Sequence, residues 1–105
     1  MQQQDAVFRA LADPSRRSIF EQLTLGEAAV KDLTARFDIS QPAVSQHLEK
    51  LRGAGLVSER REGRLVYYRV EPRGLRPLVD WLAHYQAFWL ERLDKLRTLL
   101  EEMDE

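Results

Sequence analysis

The last third of the chain carries one long stripe of apolar residues at helical spacing. The stripe consists of Leu75, Leu78, Leu82, Tyr85, Trp89, Leu93, Leu96, Leu100 and Met103. Steps of three and four residues are typical of a coiled-coil seam, and they predict one helix over about 75–103. Such a helix would be about 43 Å long at 1.5 Å per residue. A chain of 105 residues is too short to bury it against its own core, so we expect the seam to pack against a partner.

Three shorter helices are predicted upstream. Apolar residues recur at helical spacing within residues 7–11, 19–23 and 30–37. The pair Asp13-Pro14 predicts where the second helix starts, because Asp is a good N-cap and Pro fits the first helical position. These segments predict a helical N-terminal half.

A fourth helix is predicted over 41–52, with Ser40 as its N-cap and Gly53 just past its end. Its apolar face carries Val44, Leu48 and Leu51. If this face points inward at 100° per residue, the opposite face of the helix is left for solvent or a ligand.

The pattern changes after residue 55. Residues 56–61 and 64–70 are rich in β-branched and aromatic side chains, and Glu62-Gly63 lies between them. This predicts a β-hairpin with a tight turn. Tyr67 and Tyr68 then point to opposite faces of the strand, and we expect Tyr68 to be the exposed one.

The order of elements predicts a single domain, residues 1–105, that is mainly α with a small β-hairpin. Its topology, α-α-α-α-β-β-α, is that of a winged helix-turn-helix. The helix-turn-helix is expected at about 29–52, the wing at about 56–70 and a C-terminal dimerisation helix at about 75–103.

Charge is unevenly distributed along the chain. The net charge is −1, yet residues 40–70 carry an excess of Lys and Arg while residues 71–105 carry an excess of Asp and Glu. Attraction to phosphate depends on the local patch more than on the total. The basic middle third is therefore compatible with a nucleic-acid partner.

Composition excludes several other classes. The chain has no cysteine, which rules out disulfides, thiolate metal sites and cysteine nucleophiles. No signal peptide or membrane-spanning run is evident, and no catalytic motif is recognisable. We expect a cytoplasmic protein that is not an enzyme and carries no cofactor.

The exposed face of the fourth helix suits DNA reading. Gln can bind adenine through two hydrogen bonds, Ser can donate or accept, and Lys and Arg hold phosphates. Arginines on the hairpin could reach the backbone or the minor groove. The predicted contacts to double-stranded DNA are Ser40, Gln41, Pro42, Ala43, Ser45, Gln46, His47, Lys50, Arg52, Arg60, Arg61, Arg64 and Tyr68.

The chain also resembles a known family. The stretch DLTARFDISQPAVSQHLEKL over 32–51 looks like the helix-turn-helix of ArsR-type winged-helix repressors. Residues 54–57, with Arg61, Gly63 and Tyr68, resemble the hairpin of that family, and ALADPSR over 10–16 resembles its first helix junction.

The resemblance implies a homodimer formed through the first and last helices. Such dimers bind a palindromic operator and often repress their own operon. On this chain the implied interface residues are Phe8, Leu11, Leu78, Trp81, Leu82, Tyr85, Phe88, Trp89 and Leu93.

The chain departs from the metal-sensing members that it resembles. Their Cys-Val-Cys-Asp-Leu stretch corresponds here to AVKDL over 29–33, so both thiolates are missing. Asp80, His84 and Glu91 do not match the spacing of the zinc site that other members have on the last helix. We expect no metal site, in keeping with a metal-independent branch; whether a small-molecule effector exists stays open.

Other interpretations compete with DNA binding. Winged helices also serve as protein-interaction adaptors, and the Arg residues of the hairpin could be ordinary surface charge. Packing and phosphate contact are equally compatible with His47, whereas His84 is more simply structural. The aromatic residues near the C-terminus could line a small-molecule pocket, although their helical stripe favours core and dimer packing.

Overall fold

The computed structural model describes residues 2–104. Its elements are α1 (Gln2–Ala12), α2 (Pro14–Leu23), β1 (Ala28–Ala29), α3 (Val30–Ala35), α4 (Gln41–Gly53), β2 (Val57–Glu62), β3 (Leu65–Val70), a 3-10 turn (Pro72–Leu75), α5 (Arg76–His84) and α6 (Gln86–Met103). The mainly helical winged helix-turn-helix with a small sheet is therefore confirmed.

The predicted helix starts are those of the structure. The carboxylate of Asp13 accepts a hydrogen bond from the backbone N–H of Arg16 at 2.9 Å and caps α2. The hydroxyl of Ser40 does the same for the N–H of Ala43 at 3.3 Å, at the start of α4. Side-chain caps satisfy N–H groups that have no partner within the helix. Because Asp and Ser are typical of this position, both helix starts could be predicted from the sequence.

The core lies where α2, α3 and α4 meet the sheet. Its fully enclosed side chains are Val7, Ile19, Leu33, Val44, Leu48, Leu51 and Leu56. All three predicted inward residues of α4 belong to this group. Their burial determines which face of α4 points to solvent.

The sheet has three antiparallel strands in the order β1-β3-β2. The sequence did not predict β1, whose two residues pair with Tyr67 and Tyr68 of β3. The hairpin turn lies one residue later than expected, at Gly63-Arg64, because Glu62 still pairs with Leu65. Gly63 has φ +63°, and a left-handed Gly at the first turn position is typical of a type II′ hairpin.

The predicted helix over 75–103 is wrong in its continuity. It is two helices, α5 and α6, separated at Tyr85, whose backbone lies at φ −109° and ψ 15°. Neither Gly nor Pro marks the break. The Tyr85 ring packs against Trp81 at 5.3 Å and His84 at 4.8 Å between centroids. One residue outside helical geometry hardly alters the phase of an apolar stripe, so spacing alone could not reveal it.

The two C-terminal helices differ in their surroundings. α5 packs on α1, with the rings of Phe8 and Trp81 edge to face at 5.4 Å. Every residue of α6 is exposed, including its apolar stripe. Within residues 2–104, none of the helices combines the length and the hydropathy that crossing a membrane requires.

We predict that Gly74→Ala destabilises the fold. A Cβ at this position would overlap the backbone carbonyl of Gly55, so the 3-10 turn and the end of α4 would have to move apart. Overpacking of this kind costs about 1–3 kcal/mol, and thermal unfolding followed by circular dichroism should show a melting temperature lowered by several degrees.

Gly53→Ala is the matched control for this substitution. A Cβ on Gly53 meets no atom within 4 Å, and Ala is the better helix former. The control should leave the melting temperature equal or higher. Equal melting temperatures for Gly74→Ala and the unsubstituted chain would contradict the close packing.

Candidate nucleic-acid interface

The outer face of α4 is polar and accessible. Gln41, Pro42, Gln46, Lys50 and Arg52 are exposed, and the list is completed by the half-buried Ala43, Ser45 and His47. Ser45, Gln46 and Lys50 line one shallow depression together with Glu49. The predicted reading residues therefore share a continuous surface, in a helix that a major groove can admit.

Ser40 differs from its neighbours because its hydroxyl already makes a hydrogen bond within the protein. Its hydroxyl already accepts the N–H of Ala43 as a helix cap, although a hydroxyl can still donate to a phosphate. Its place at the start of α4 keeps it next to Gln41 and Pro42 on the same surface.

The wing lies beside α4. A groove between them is lined from α4 by Gln41 and Ser45 and from the hairpin by Arg61 and Arg64. Among the described residues neither arginine takes part in an ion pair. Both positive charges are therefore available to an external anion.

Lys31 is a basic residue of this surface that the sequence did not single out. It lies in the first turn of α3, is exposed and lines the same groove as Gln41 and Arg61. The first helix of a helix-turn-helix crosses the DNA backbone. In the sequence, a Lys in the first turn of this helix would have indicated a phosphate contact. The position was interpreted only as one where metal-sensing relatives carry a cysteine.

Arg60 is bound within the protein instead of being free on the wing. Its guanidinium pairs with Glu27 at 2.6 Å and with Glu62 at 2.8 Å, and it lies over the Tyr67 ring at 4.6 Å. The hydrogen bond from Arg60 holds the pKa of Glu27 below its usual value. Because its charge is balanced by two carboxylates, Arg60 holds the base of the wing in place.

Tyr68 corrects an expectation of the sequence. It is 4% exposed, whereas Tyr67 is the half-buried one that faces Arg60. The Tyr68 side of β3 faces the hydrophobic core, where α2 and α3 pack on the strand. Alternation along a strand requires two faces but does not tell which of them meets the core.

The Tyr68 hydroxyl joins the wing to α4. It lies 3.0 Å from a carboxylate oxygen of Glu59 and 3.3 Å from one of Glu49, to which it can donate. Burial raises the pKa of Tyr68 to about 12, with the two carboxylates acting in the same direction. The phenol stays protonated at neutral pH and can serve as the donor.

Arg52 closes this network. Its Nη1 lies 3.0 Å from Glu59 and 3.4 Å from Glu49, so one guanidinium bridges the carboxylates of both elements. The single positive charge of Arg52 offsets part of the negative charge of the two carboxylates. It also fixes the distance between α4 and the wing.

A second surface is apolar and lies on α1, α5 and α6. Phe8, Leu82, Tyr85, Phe88, Trp89 and Leu93 are exposed, and the remaining interface candidates Leu11, Leu78 and Trp81 are half-buried. Leu82, Trp89 and Leu93 border one apolar groove with Gln86 and Leu90. Leu11 and Leu78 pack against the core, so the exposed part of this surface is formed mainly by the other predicted residues.

The acidic and histidine side chains of the C-terminal helices do not form a metal cluster. In the described part of the chain, no three His, Asp or Glu residues come close enough together to hold an ion. His84 is exposed and packs edge to face against Tyr85.

Known proteins share both the sequence and the fold. Residues 13–59 match the model of the bacterial regulatory proteins of the arsR family. The chain is 39% identical to an HTH-type transcriptional regulator of Mycobacterium tuberculosis, Rv2034, over 92% of this chain and 88% of the relative. It is 34% identical to the transcriptional repressor SdpR of Bacillus subtilis, over 75% of this chain and 88% of the relative.

Solved structures agree with these relatives. An ArsR-like transcriptional regulator from Rhodococcus sp. RHA1 superposes with a TM-score of 0.73 at 28% identity, covering 93% of this chain and 92% of that one. The expectation of a regulator and not an enzyme is confirmed by these relatives. The chain belongs to the ArsR family of bacterial regulatory proteins and is a DNA-binding regulator of transcription with a winged helix-turn-helix.

Proposed function

We propose that the protein is a cytoplasmic homodimeric repressor that binds a palindromic operator, its own promoter included. The observation that carries this proposal is the coexistence of two unpartnered surfaces on one small domain. One is the polar, basic face of α4 and the wing, and the other is the apolar face of α1, α5 and α6.

The first surface divides naturally into reading and holding residues. Gln41, Ser45 and Gln46 carry the polar groups that can bind base edges, with Pro42 and Ala43 allowing close approach of the helix. Lys50 on α4 is suited to phosphates, as are Arg61 and Arg64 on the wing and Lys31 on α3. His47, half-buried on the flank, completes this set.

Arg52, Arg60 and Tyr68 act indirectly in this proposal. Each is held by carboxylates of the protein, so their part is to position the wing relative to α4. This differs from the direct DNA contact that the sequence predicts for them.

The second surface makes a dimer the natural state. Phe8, Leu82 and Trp89 leave large apolar areas in water, and extended apolar patches of this kind mark interaction sites. A two-fold dimer presents two copies of α4, and the symmetry of the protein then requires a palindromic site.

The overall test is selection of bound duplexes from a random pool, combined with sedimentation of the free protein. We expect a two-fold symmetric sequence with half-sites about one helical turn apart, and a dimer in solution. Recovery of asymmetric sequences by a monomer would refute the proposal.

Gln46→Ala should lower discrimination between operator and random DNA more than it lowers affinity for random DNA. One two-hydrogen-bond contact to a base is worth about 1–3 kcal/mol of discrimination, about 5- to 150-fold per half-site. Binding isotherms on both duplexes measure it. Lys50→Gln is the comparison variant, since loss of a phosphate contact should weaken both duplexes alike; equal losses for Gln46→Ala would end its reading role.

Arg61→Ala and Arg64→Ala should each weaken binding to all sequences. Each substitution removes one charge facing phosphate, so the slope of log K against log salt should become shallower by about 1. Arg97→Ala removes the same charge from exposed α6 and should leave the slope unchanged. If both wing variants showed the wild-type slope of log K against log salt, the wing would not contact the DNA backbone through these arginines.

Trp89→Glu should dissociate the dimer, because it introduces a charge into the apolar groove of α6. Thr98→Glu adds the same charge about 180° away around the helix, given 100° per residue, and should stay dimeric. Sedimentation velocity reports the mass, and circular dichroism reports folding. A folded dimer of Trp89→Glu would show that the interface lies elsewhere.

A further inference from the structure

Arg16 is the one buried charged residue of the core in the described part of the chain. It lies in the first turn of α2 and is 9% exposed. Its backbone N–H is used by Asp13, but its Nε is enclosed with no hydrogen-bond partner within the protein. A buried donor without an acceptor is costly, above all on a charged group. The enclosed Nε is out of reach of a ligand, but Arg16 also lines a groove, where the terminal Nη groups of the guanidinium can donate to an acceptor that a ligand brings.

The guanidinium borders a groove between α1, the start of α2 and the end of α4. The groove has a volume of about 550 Å³. Its polar lining consists of Arg9, Arg16, Lys50 and Asp13, and its other lining residues are Ala6, Ala10, Ala12, Gly53 and Ala54. Small side chains leave room for a ligand to approach the three cations.

Asp13 is the one carboxylate among these lining residues, and it is already engaged. The backbone N–H of Arg16 holds its pKa below the usual value, and the His47 ring of α4 acts in the same direction. Three cationic groups against one capped carboxylate leave the groove positive.

The groove adjoins the surface of α4 that reads DNA. Lys50 lines both the groove and the depression formed with Ser45 and Gln46. An anion bound beside Arg16 would therefore lie along the flank of α4, where the backbone of a duplex passes when a helix occupies its major groove.

We propose that this groove binds a phosphate group, and that in the DNA complex the group is a backbone phosphate held by Arg16 and flanked by Arg9 and Lys50. The planar fork of Arg matches two phosphate oxygens. The DNA source of the phosphate rests on the function proposed above, whereas the affinity of the groove for phosphate does not.

The first experiment measures DNA affinity of Arg16→Gln against salt on a random-sequence duplex. We expect affinity to fall about tenfold, as for loss of a hydrogen bond to a charged group, and the salt slope to become shallower by about 1. Arg17→Gln is the matched control. It removes an exposed neighbouring arginine whose Nη1 donates to the Leu11 carbonyl, and its slope should be that of the wild type.

The second experiment needs no DNA. Inorganic phosphate is titrated at constant ionic strength, with chloride as the balancing anion, while thermal unfolding is followed. Phosphate should raise the melting temperature of the wild type and of Arg17→Gln, but not that of Arg16→Gln. Stabilisation by phosphate together with an unchanged DNA slope would support a phosphate site that takes a free phosphorylated ligand.

Two further variants keep the test decisive if Arg16→Gln fails to fold. Arg16→Lys retains the charge but loses the fork, so it should keep the salt slope while binding both DNA and phosphate more weakly. Arg9→Gln changes an exposed groove residue and should reduce the stabilisation by phosphate.

The outcomes separate this proposal from the proposed function. Wild-type behaviour of Arg16→Lys and Arg9→Gln toward both DNA and phosphate overturns the phosphate site, while salt-dependent DNA binding stands. Absence of DNA binding by the wild type, with phosphate stabilisation that depends on Arg16, would instead overturn the proposed function alone.

Discussion

Burial of the apolar face of α4 is the constraint on which the proposed DNA-binding surface depends. Val44, Leu48 and Leu51 are fully enclosed, and burying such side chains contributes about 1.5–3 kcal/mol each. Rotating α4 about its axis would expose all three. The same burial therefore stabilises the domain and determines that Gln46 and Lys50 point outward.

Electrostatic contacts attach the wing to this frame. Arg52 and Tyr68 both bind Glu49 of α4 and Glu59 of β2, and Arg60 ties β2 to Glu27. Exposed ion pairs contribute little stability individually. Their effect here is geometric, because they keep the cationic side chains Arg61 and Arg64 of the hairpin at a defined distance from α4.

The domain leaves a large apolar surface on α6 exposed to solvent. Trp89 is 40% exposed and Leu93 is 56% exposed, on a helix of 18 residues that the other described residues do not cover. The break at Tyr85 separates α5, which packs on α1, from α6, whose residues are all exposed. One stripe in the sequence thus supplies two different kinds of packing.

The sequence by itself determined the helical segments before residue 55, the N-caps of α2 and α4, the inward face of α4 and the existence of the hairpin. These features depend on periodicity and on residues three or four apart, which are local. The order of these elements predicted the winged helix-turn-helix, the family resemblance added the ArsR assignment, and the relatives confirm the family.

Only the tertiary structure decided which residues meet across long stretches of chain. Arg60 and Glu27 are separated by 33 positions, the burial of Tyr68 depends on the distant α2 and α3 helices that pack on β3, and the burial of Arg16 depends on how the α1, α2 and α4 helices pack. Local sequence patterns do not predict such contacts, because charged side chains and the faces of strands meet their partners only when separate elements pack together. The apolar stripe near the C-terminus is a further example. Its spacing predicts that these side chains share one helix face, but the backbone break at Tyr85 and the exposure of α6 depend on tertiary packing.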